Sequence, residues 1–373
     1  MKIAIDARMY GPEQFSGIGN YIKHLIDNLF EIDKNNEYII FLNEEQYSKF
    51  NWKENPRVKK ILVNAEHYSY KEQIQLPFHF AKEKFDLIHY PHFNSPILYR
   101  KKSICTIHDM TPFYFPGHKM SSKFRRWAHK TVFYQTIKKA SQVIAVSEAT
   151  KQSIIDLFGV NPNKIKVIHE GVDSRFHVIE NNAIISAVKD KFGITKPYLF
   201  FVGVWRSHKN IEGLIKAFNK LKKNNEFDGQ LVLGGRQDLH YTNVQKEIDN
   251  SPYKQDIITT GFIKNEDLPK LYNGAEVFVL PSFIEGFGLI GIEAQSCGCP
   301  VVSTNTSSMP EILHDSAIYF DPNDIEKMAK SINQVISDKT LKQNLIKKSI
   351  HNLKRFSWRK CAEETLAIYK SIK

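Results

Sequence analysis

Short, continuously apolar runs recur along this chain at intervals too long for hairpins, with helical periodicity between them. In the first half they are Lys2–Asp6, Tyr38–Leu42, Val58–Val63, Leu87–His89, Ser103–Ile107, Gln142–Val146 and Lys166–Ile168. In the second they are Tyr198–Val202, Gln230–Leu233, Ile257–Thr260, Val277–Leu280, Pro300–Ser303 and Ile318–Phe320. Strands that are apolar on both faces, separated by helices, belong to parallel sheets covered on both sides. The intervening segments bear this out: Ile18, Ile22, Leu25, Ile26, Leu29 and Phe30 fall at helical spacing, and helices are expected near Ile211–Lys222, Asn265–Asn273, Leu289–Ser296 and Ile325–Ser337. The pattern predicts an α/β chain with two doubly wound, Rossmann-like domains. The 373 residues suit two domains of ordinary size. Strand patterning lapses near Asp173–Lys196, so the domains are expected at residues 1–180 and 181–355, with a final helix over 356–373.

Within that frame Val277–Ser303 is the most informative stretch. It predicts a buried strand, a Gly-bearing turn, a helix and a second buried strand. Glu285 precedes the turn and Glu293 lies in the helix, on a flank about two turns in. Gly286 and Gly288 let the backbone approach a ligand. The amides of the first helical turn, with the helix dipole behind them, suit a diphosphate. A carboxylate at either end suits sugar hydroxyls.

Other strand ends carry further candidates. After the strand at Tyr198, Gly203-Val-Trp-Arg206-Ser-His-Lys209-Asn210 sets two cations on a strand-to-helix loop, where they can neutralise a diphosphate or stand merely solvated. Ser16-Gly17-Ile18-Gly19 is read as lying between a strand and a helix, a second place for phosphate or sugar, or a plain tight turn. It is not the full dinucleotide fingerprint, because position 22 is Ile. His108-Asp109 ends the strand Ser103–Ile107, on the ligand side of a parallel sheet. No nucleophile elbow, Walker lysine loop or carboxylate cluster for two metals appears.

Bulk properties narrow the class. The four cysteines lack metal-ligand spacing, so no metal is expected. No signal-peptide pattern and no apolar run long enough for a membrane span appears, which predicts a soluble, cytoplasmic protein. The formal charge is +12, concentrated between Lys101 and Ala140. Lys119, Lys123, Arg125, Arg126, Trp127 and Lys130 form a basic surface with interleaved aromatics, suited to anionic lipid or to nucleic acid, or else a solvated helix over its core.

Taken together, the motifs resemble those of retaining glycosyltransferases of family 4. The likeness covers Ser16–Gly19, Thr106–Asp109, Ala145–Thr150, Lys166–Asp173, Gly203–Asn210, Gly261–Ile263, Leu268–Tyr272, Glu285–Glu293 and Pro310-Glu311. The resemblance implies a GT-B fold, two Rossmann-like domains facing a cleft, with the helix after Phe356-Ser-Trp358 crossing back to the first. It also implies that Arg206 and Lys209 stabilise the departing diphosphate and that the amides of Phe287, Gly288 and Leu289 hold its oxygens. Glu293 would then bind the ribose, Glu285 the transferred sugar, and His108 the sugar near the reacting carbon. Phe262 and Ile263 would lie beside the base. Gly17, Gly19, Gly203 and Gly286 complete the donor site by the same likeness. Such enzymes commonly need no metal or other cofactor.

The run His108-Asp-Met-Thr-Pro-Phe-Tyr-Phe-Pro116 is similar to that of bacterial mannosyltransferases of polysaccharide and O-antigen assembly. The expected activity is transfer of mannose from GDP-mannose to a lipid-linked oligosaccharide, at the cytoplasmic face of the inner membrane. A UDP-sugar donor (glucose, GlcNAc or GalNAc) is the alternative. A nucleotide-sugar epimerase and a nucleic-acid-binding protein are more remote, since neither accounts for Glu285, Glu293 and the Arg206/Lys209 loop together. No nucleic-acid partner is expected.

Overall fold

The computed structural model describes residues 1–372 other than Lys53, Glu54, Glu66, Tyr68, Ser121 and Leu239, with the backbone alone at residues 12–16, 70, 71 and 119. The chain forms two compact units, Met1–Gly171 with Ser357–Lys373, and Val172–Phe356.

The first unit holds β1 (Lys2–Asp6), β2 (Glu37–Leu42), β3 (Val58–Leu62), β4 (Leu87–Tyr90), β5 (Ser103–Ile107), β6 (Gln142–Ala145) and β7 (Ile165–Val167). They pair in the order β3-β2-β1-β4-β5-β6-β7, every pair parallel. β4 and β5 are buried end to end and β1 from Ile3 onward, as strands covered on both faces require. The first helix (Pro12–Ile32) packs against the closing helix (Trp358–Ser371). Trp358 stacks on His24 at 4.8 Å, and the Tyr369 hydroxyl meets Nδ1 of buried His89 at 2.7 Å.

The second unit holds β8 (Tyr198–Val202), β9 (Gln230–Gly234), β10 (Ile257–Gly261), β11 (Val277–Leu280), β12 (Val301–Thr304) and β13 (Ala317–Phe320). Their order is β10-β9-β8-β11-β12-β13, again all parallel. The strand order reverses between β8 and β11, and the crevice beyond the carboxyl ends at such a switch point is where open α/β sheets bind ligands. The helix Ile211–Lys223 is anchored beside it by buried Ile211, Leu214, Ile215, Phe218 and Leu221, spaced three and four apart.

The division between units falls after Gly171, ahead of the expected 180. The residues just beyond it are tied to the second unit: the Ile179 amide donates to Asn273 Oδ1 at 2.7 Å, and Asn273 Nδ2 donates to the His177 carbonyl at 2.9 Å. The stretch Asp173–Lys196, where strand patterning lapses, contains a helix, Asn182–Lys191, capped by the Asn181 side chain. A further helix, Lys339–Leu353, was not anticipated either. Among the described residues no helix is long and apolar enough to cross a membrane.

Candidate active site

The loops after β8 and β11 carry the second unit's candidates. Beyond β8 the chain passes Gly203, whose carbonyl oxygen would lie 1.9 Å from a Cβ placed on Gly235, a residue with φ of +109°. Two glycine-lined strand ends are thus pressed together. Arg206 is largely exposed, its Nε 3.4 Å from Asp238. Lys209 turns the other way and donates to Glu285 Oε1 at 2.6 Å. Asn210 closes this turn at φ +51°, a conformation Asn tolerates better than most residues. Its buried amide donates to the carbonyls of Pro281 (3.1 Å) and Pro322 (2.8 Å). The Phe283 amide donates to the His208 carbonyl at 2.8 Å, tying the two loops together.

Lys209 and Glu285, assigned to separate tasks by sequence, therefore form one largely buried ion pair. Ser282 also donates to Glu285 Oε1, at 2.6 Å. Burial by itself would raise the Glu285 pKa, but the adjacent Lys209 ammonium and the hydrogen bonds from Lys209 and Ser282 outweigh it, and the carboxyl is held below its ordinary range. His208 is pushed down to about 4, chiefly by burial and then by Lys209, so it is neutral at pH 7.

The turn after Glu285 is held by side chains that sequence reasoning passed over. Ser307 donates to the Glu285 carbonyl at 2.6 Å, and Ser308 donates to the carbonyls of Glu285 (3.0 Å) and Phe287 (3.2 Å). Thr306 donates to the Phe283 carbonyl at 2.9 Å. The signal was present as a hydroxyl-rich run, Ser303-Thr-Asn-Thr-Ser-Ser308, at the carboxyl end of an apolar strand. Gly286 leads into buried Phe287, and Gly288 starts the helix Leu289–Ser296 at φ +88°. That backbone conformation is what favours glycine here; a Cβ would also stand 2.2 Å from the Met309 methyl carbon, the end of a flexible side chain that would have to move.

Glu293 departs from expectation. It lies little more than one turn into the helix and is buried, accepting a 3.3 Å hydrogen bond from the Tyr272 hydroxyl, rather than standing on an open flank. Tyr272 reaches it from the helix Leu268–Gly274. Phe262, just past β10, is exposed, with the Arg236 guanidinium 5.0 Å from its ring centroid; neighbouring Ile263 is buried against Gly234.

In the first unit, Gly17 and Gly19 do not lie in a loop before a helix. The helix already begins at Pro12, behind Gly11 at φ +108°, so both glycines are inside it. Gly19 serves close approach, since a Cβ there would stand 2.1 Å from the Gly11 carbonyl oxygen. His108 follows β5, with both ring nitrogens engaged: Nε2 meets the Pro91 carbonyl at 2.8 Å and Nδ1 meets buried Glu170 at 3.1 Å. On the helix Lys123–Lys139, Lys123, Arg125, Arg126, Trp127 and Lys130 are exposed, and Phe124 lies beside Trp127 with ring centroids 5.9 Å apart. The side chain of Lys119 lies outside the described residues. The four cysteines are buried thiols, and among the described residues no three His, Cys, Asp or Glu side chains gather as a metal site.

Comparison with known proteins covers both units. Residues 15–176 match the model described as Glycosyltransferase Family 4, and residues 185–352 the one described as Glycosyl transferases group 1. The O-antigen chain mannosyltransferase B of Escherichia coli is 29% identical over 271 residues, spanning 72% of this chain and 70% of that protein. The serotype-specific mannosyltransferase WbdA of Escherichia coli is 26% identical over 262 residues, 69% of this chain but 32% of its own length. The chain thus spans about a third of that longer relative. Among solved structures, Anabaena Alr3699/HepE in complex with UDP and glucose superposes with a TM-score of 0.78, at 17% identity, over 100% of both chains.

Proposed function

Because this chain belongs to the family 4 glycosyltransferases and has their GT-B fold, we propose that it transfers mannose from GDP-mannose to a lipid-linked oligosaccharide of a cell-surface polysaccharide, with retention of configuration and without a metal. One observation carries the reading. At the switch point of the second sheet, the Lys209–Glu285 pair, exposed Arg206 and the glycine-started helix at Gly288 converge from the ends of neighbouring strands. That is a place for a sugar joined to a diphosphate.

In this reading the acceptor oxygen forms its bond to the anomeric carbon as the bond to the phosphate oxygen breaks. Both events occur on one face of the sugar, and the acceptor proton passes to the departing phosphate. Arg206, Lys209 and the amides of Phe287, Gly288 and Leu289 take up the charge that develops there. Glu285 fixes the Lys209 ammonium through Oε1 and offers Oε2 to a sugar hydroxyl. Buried Glu293, oriented by Tyr272, serves the ribose. Phe262 and Ile263 flank the base. Gly203 lets the ends of its strand and of the strand carrying Gly235 come close together beside this site.

Mannose is supported by the names of the Escherichia coli relatives and by the run His108–Pro116. The Anabaena structure, with UDP and glucose on the same fold, is the observation that favours a UDP-sugar instead. Thermal stability against GDP, GDP-mannose, UDP and UDP-sugars, each with Mg²⁺ or with EDTA, separates the two. A ligand at about 100 times its dissociation constant adds about 2.7 kcal/mol to the native state. Stabilisation by guanosine nucleotides in EDTA is expected. Stabilisation by uridine nucleotides alone overturns the donor, and a response to neither overturns the activity.

The exposed Phe124 and Trp127 among Lys123, Arg125, Arg126 and Lys130 support docking on an anionic membrane surface at the cytoplasmic side. Each Lys or Arg near such a surface is worth about 1 kcal/mol. Co-sedimentation with phosphatidylglycerol vesicles at low salt is expected, and failure to sediment removes the membrane from the reading.

A further inference from the structure

We infer that Glu170 is a positioning residue that holds His108 as an imidazolium, a fixed cation at the carboxyl end of β5, so that His108 is not the group that accepts a proton. The inference rests on the reading above only where it concerns turnover. The geometry of the ring states the rest. Pro91 presents a carbonyl oxygen to Nε2 at 2.8 Å, and a carbonyl only accepts, so Nε2 carries hydrogen. Glu170 presents a carboxylate oxygen to Nδ1 at 3.1 Å. With both groups unprotonated, two lone pairs would oppose one another inside the protein, so a proton lies between them. With that proton on the ring, His108 is a cation neutralised by a buried anion, and neither nitrogen has a lone pair with which to take a proton.

The surroundings favour that assignment. The titratable groups facing the pair are Asp109 on the same loop, His89 and His92 from β4 and its loop, Tyr21 from the first helix, and Cys361 from the closing helix. His89 is pushed down to about 3 by burial and by the charge at His108, and burial drives His92 well below its ordinary range, so neither competes as a cation. Tyr21 and Cys361 are both raised by burial and stay neutral. Burial opposes the charge on His108 as well, but Glu170, the Pro91 carbonyl and Asp109 outweigh it and raise its pKa.

Glu170 is itself held from behind. A Cβ on the next residue, Gly171, would stand 2.2 Å from the Trp358 amide nitrogen and 2.7 Å from the Ser357 carbonyl carbon. The start of the closing helix therefore presses directly on the peptide that carries the carboxylate. A His108 ring held in the charged state has no lone pair with which to take a proton from an acceptor hydroxyl.

The test is a titration of the full chain labelled with ¹³C-histidine, the His108 resonance being identified by its loss in His108→Gln. Wild-type His108 is expected to titrate above the ordinary histidine value of about 6.5. Glu170→Gln, which keeps an acceptor for Nδ1–H but removes the charge, is expected to lower the midpoint by about one to two pH units. The basic limb of kcat/KM should move down by the same interval, with little change on the acid side. A wild-type midpoint at or below the ordinary value overturns the inference without recourse to any variant. So does a midpoint unmoved by Glu170→Gln in a protein that melts normally. If the midpoint moves and the basic limb does not, the role in turnover is overturned. Absence of nucleotide-induced stabilisation in the wild type would count against the glycosyltransferase activity alone, and the titration would still decide the charge state.

Discussion

Lys209 and Glu285 depend on each other, and substitution of either should show it. In Lys209→Ala the Glu285 carboxylate keeps its burial but loses its cation, and the departing phosphate loses a donor. Turnover is expected to fall by about 10²–10³, the usual cost of losing one electrostatic stabiliser of a transition state; steady-state kinetics on the identified donor checks it, and near-wild-type kcat would remove Lys209 from the chemistry. The pair also sets an acid limit on stability. Glu285 has a folded pKa below its unfolded value, so its contribution is present above the unfolded value and is lost as pH falls through the folded one. Wild-type protein should therefore lose melting temperature on acidification through that window, and Lys209→Ala should lose less. Both residues were legible as candidates, because charged side chains at strand ends of a parallel sheet are visible in sequence. Their contact was not, since it spans loops from distant parts of the chain. The hydroxyls of Thr306, Ser307 and Ser308 were less legible still: short polar side chains between elements look like any loop until their acceptors are known.

Among the elements, the helix Leu289–Ser296 is most constrained at its first turn. Gly288 combines φ of +88° with a Met309 methyl carbon 2.2 Å from where a Cβ would lie. Gly288→Ala is expected to cost about 1–3 kcal/mol from the backbone conformation alone. Calorimetry should show a melting temperature lower by several degrees, and loss of nucleotide-induced stabilisation should accompany it. An unchanged melt would mean that the turn can relax. Strand positions were read closely because apolar, β-branched runs between breakers admit few alternatives. Helices without a strong apolar stripe were not: Asn182–Lys191 buries only Val188, and Lys339–Leu353 is rich in lysine. The first helix misled in the opposite direction. Gly17 and Gly19 look like a turn, yet a helix can carry glycine where another backbone must come close, as Gly11 does at Gly19.

Across the whole molecule, the first unit is assembled from two separated pieces of chain, Met1–Gly171 and Ser357–Lys373. Removing 357–373 would uncover Tyr21 and His89, both buried, and leave His89 without the Tyr369 hydroxyl. A chain ending at Phe356 is expected to lose the cooperative melt of the first unit, while nucleotide-induced stabilisation of the second persists. Intact two-unit melting in that shortened chain would show the closing helix to be an accessory. The two wound halves were legible because each repeats the same strand-and-helix alternation. That the seventeen residues after Phe356 return to the first unit rested on family likeness, since their own pattern names no partner.

That division has a consequence in time. On the ribosome the first 171 residues emerge well before the helix that completes their unit, with the 185 residues of Val172–Phe356 still to be made. At about 5–20 residues per second this is a wait of about 10–40 s. The second unit, continuous in sequence, can reach its final form first. The nascent first unit must stay unfinished for that interval, its seat for Trp358 and Tyr369 vacant. Protease digestion of stalled nascent chains should therefore find Val172–Phe356 resistant earlier than Met1–Gly171, although it is made later.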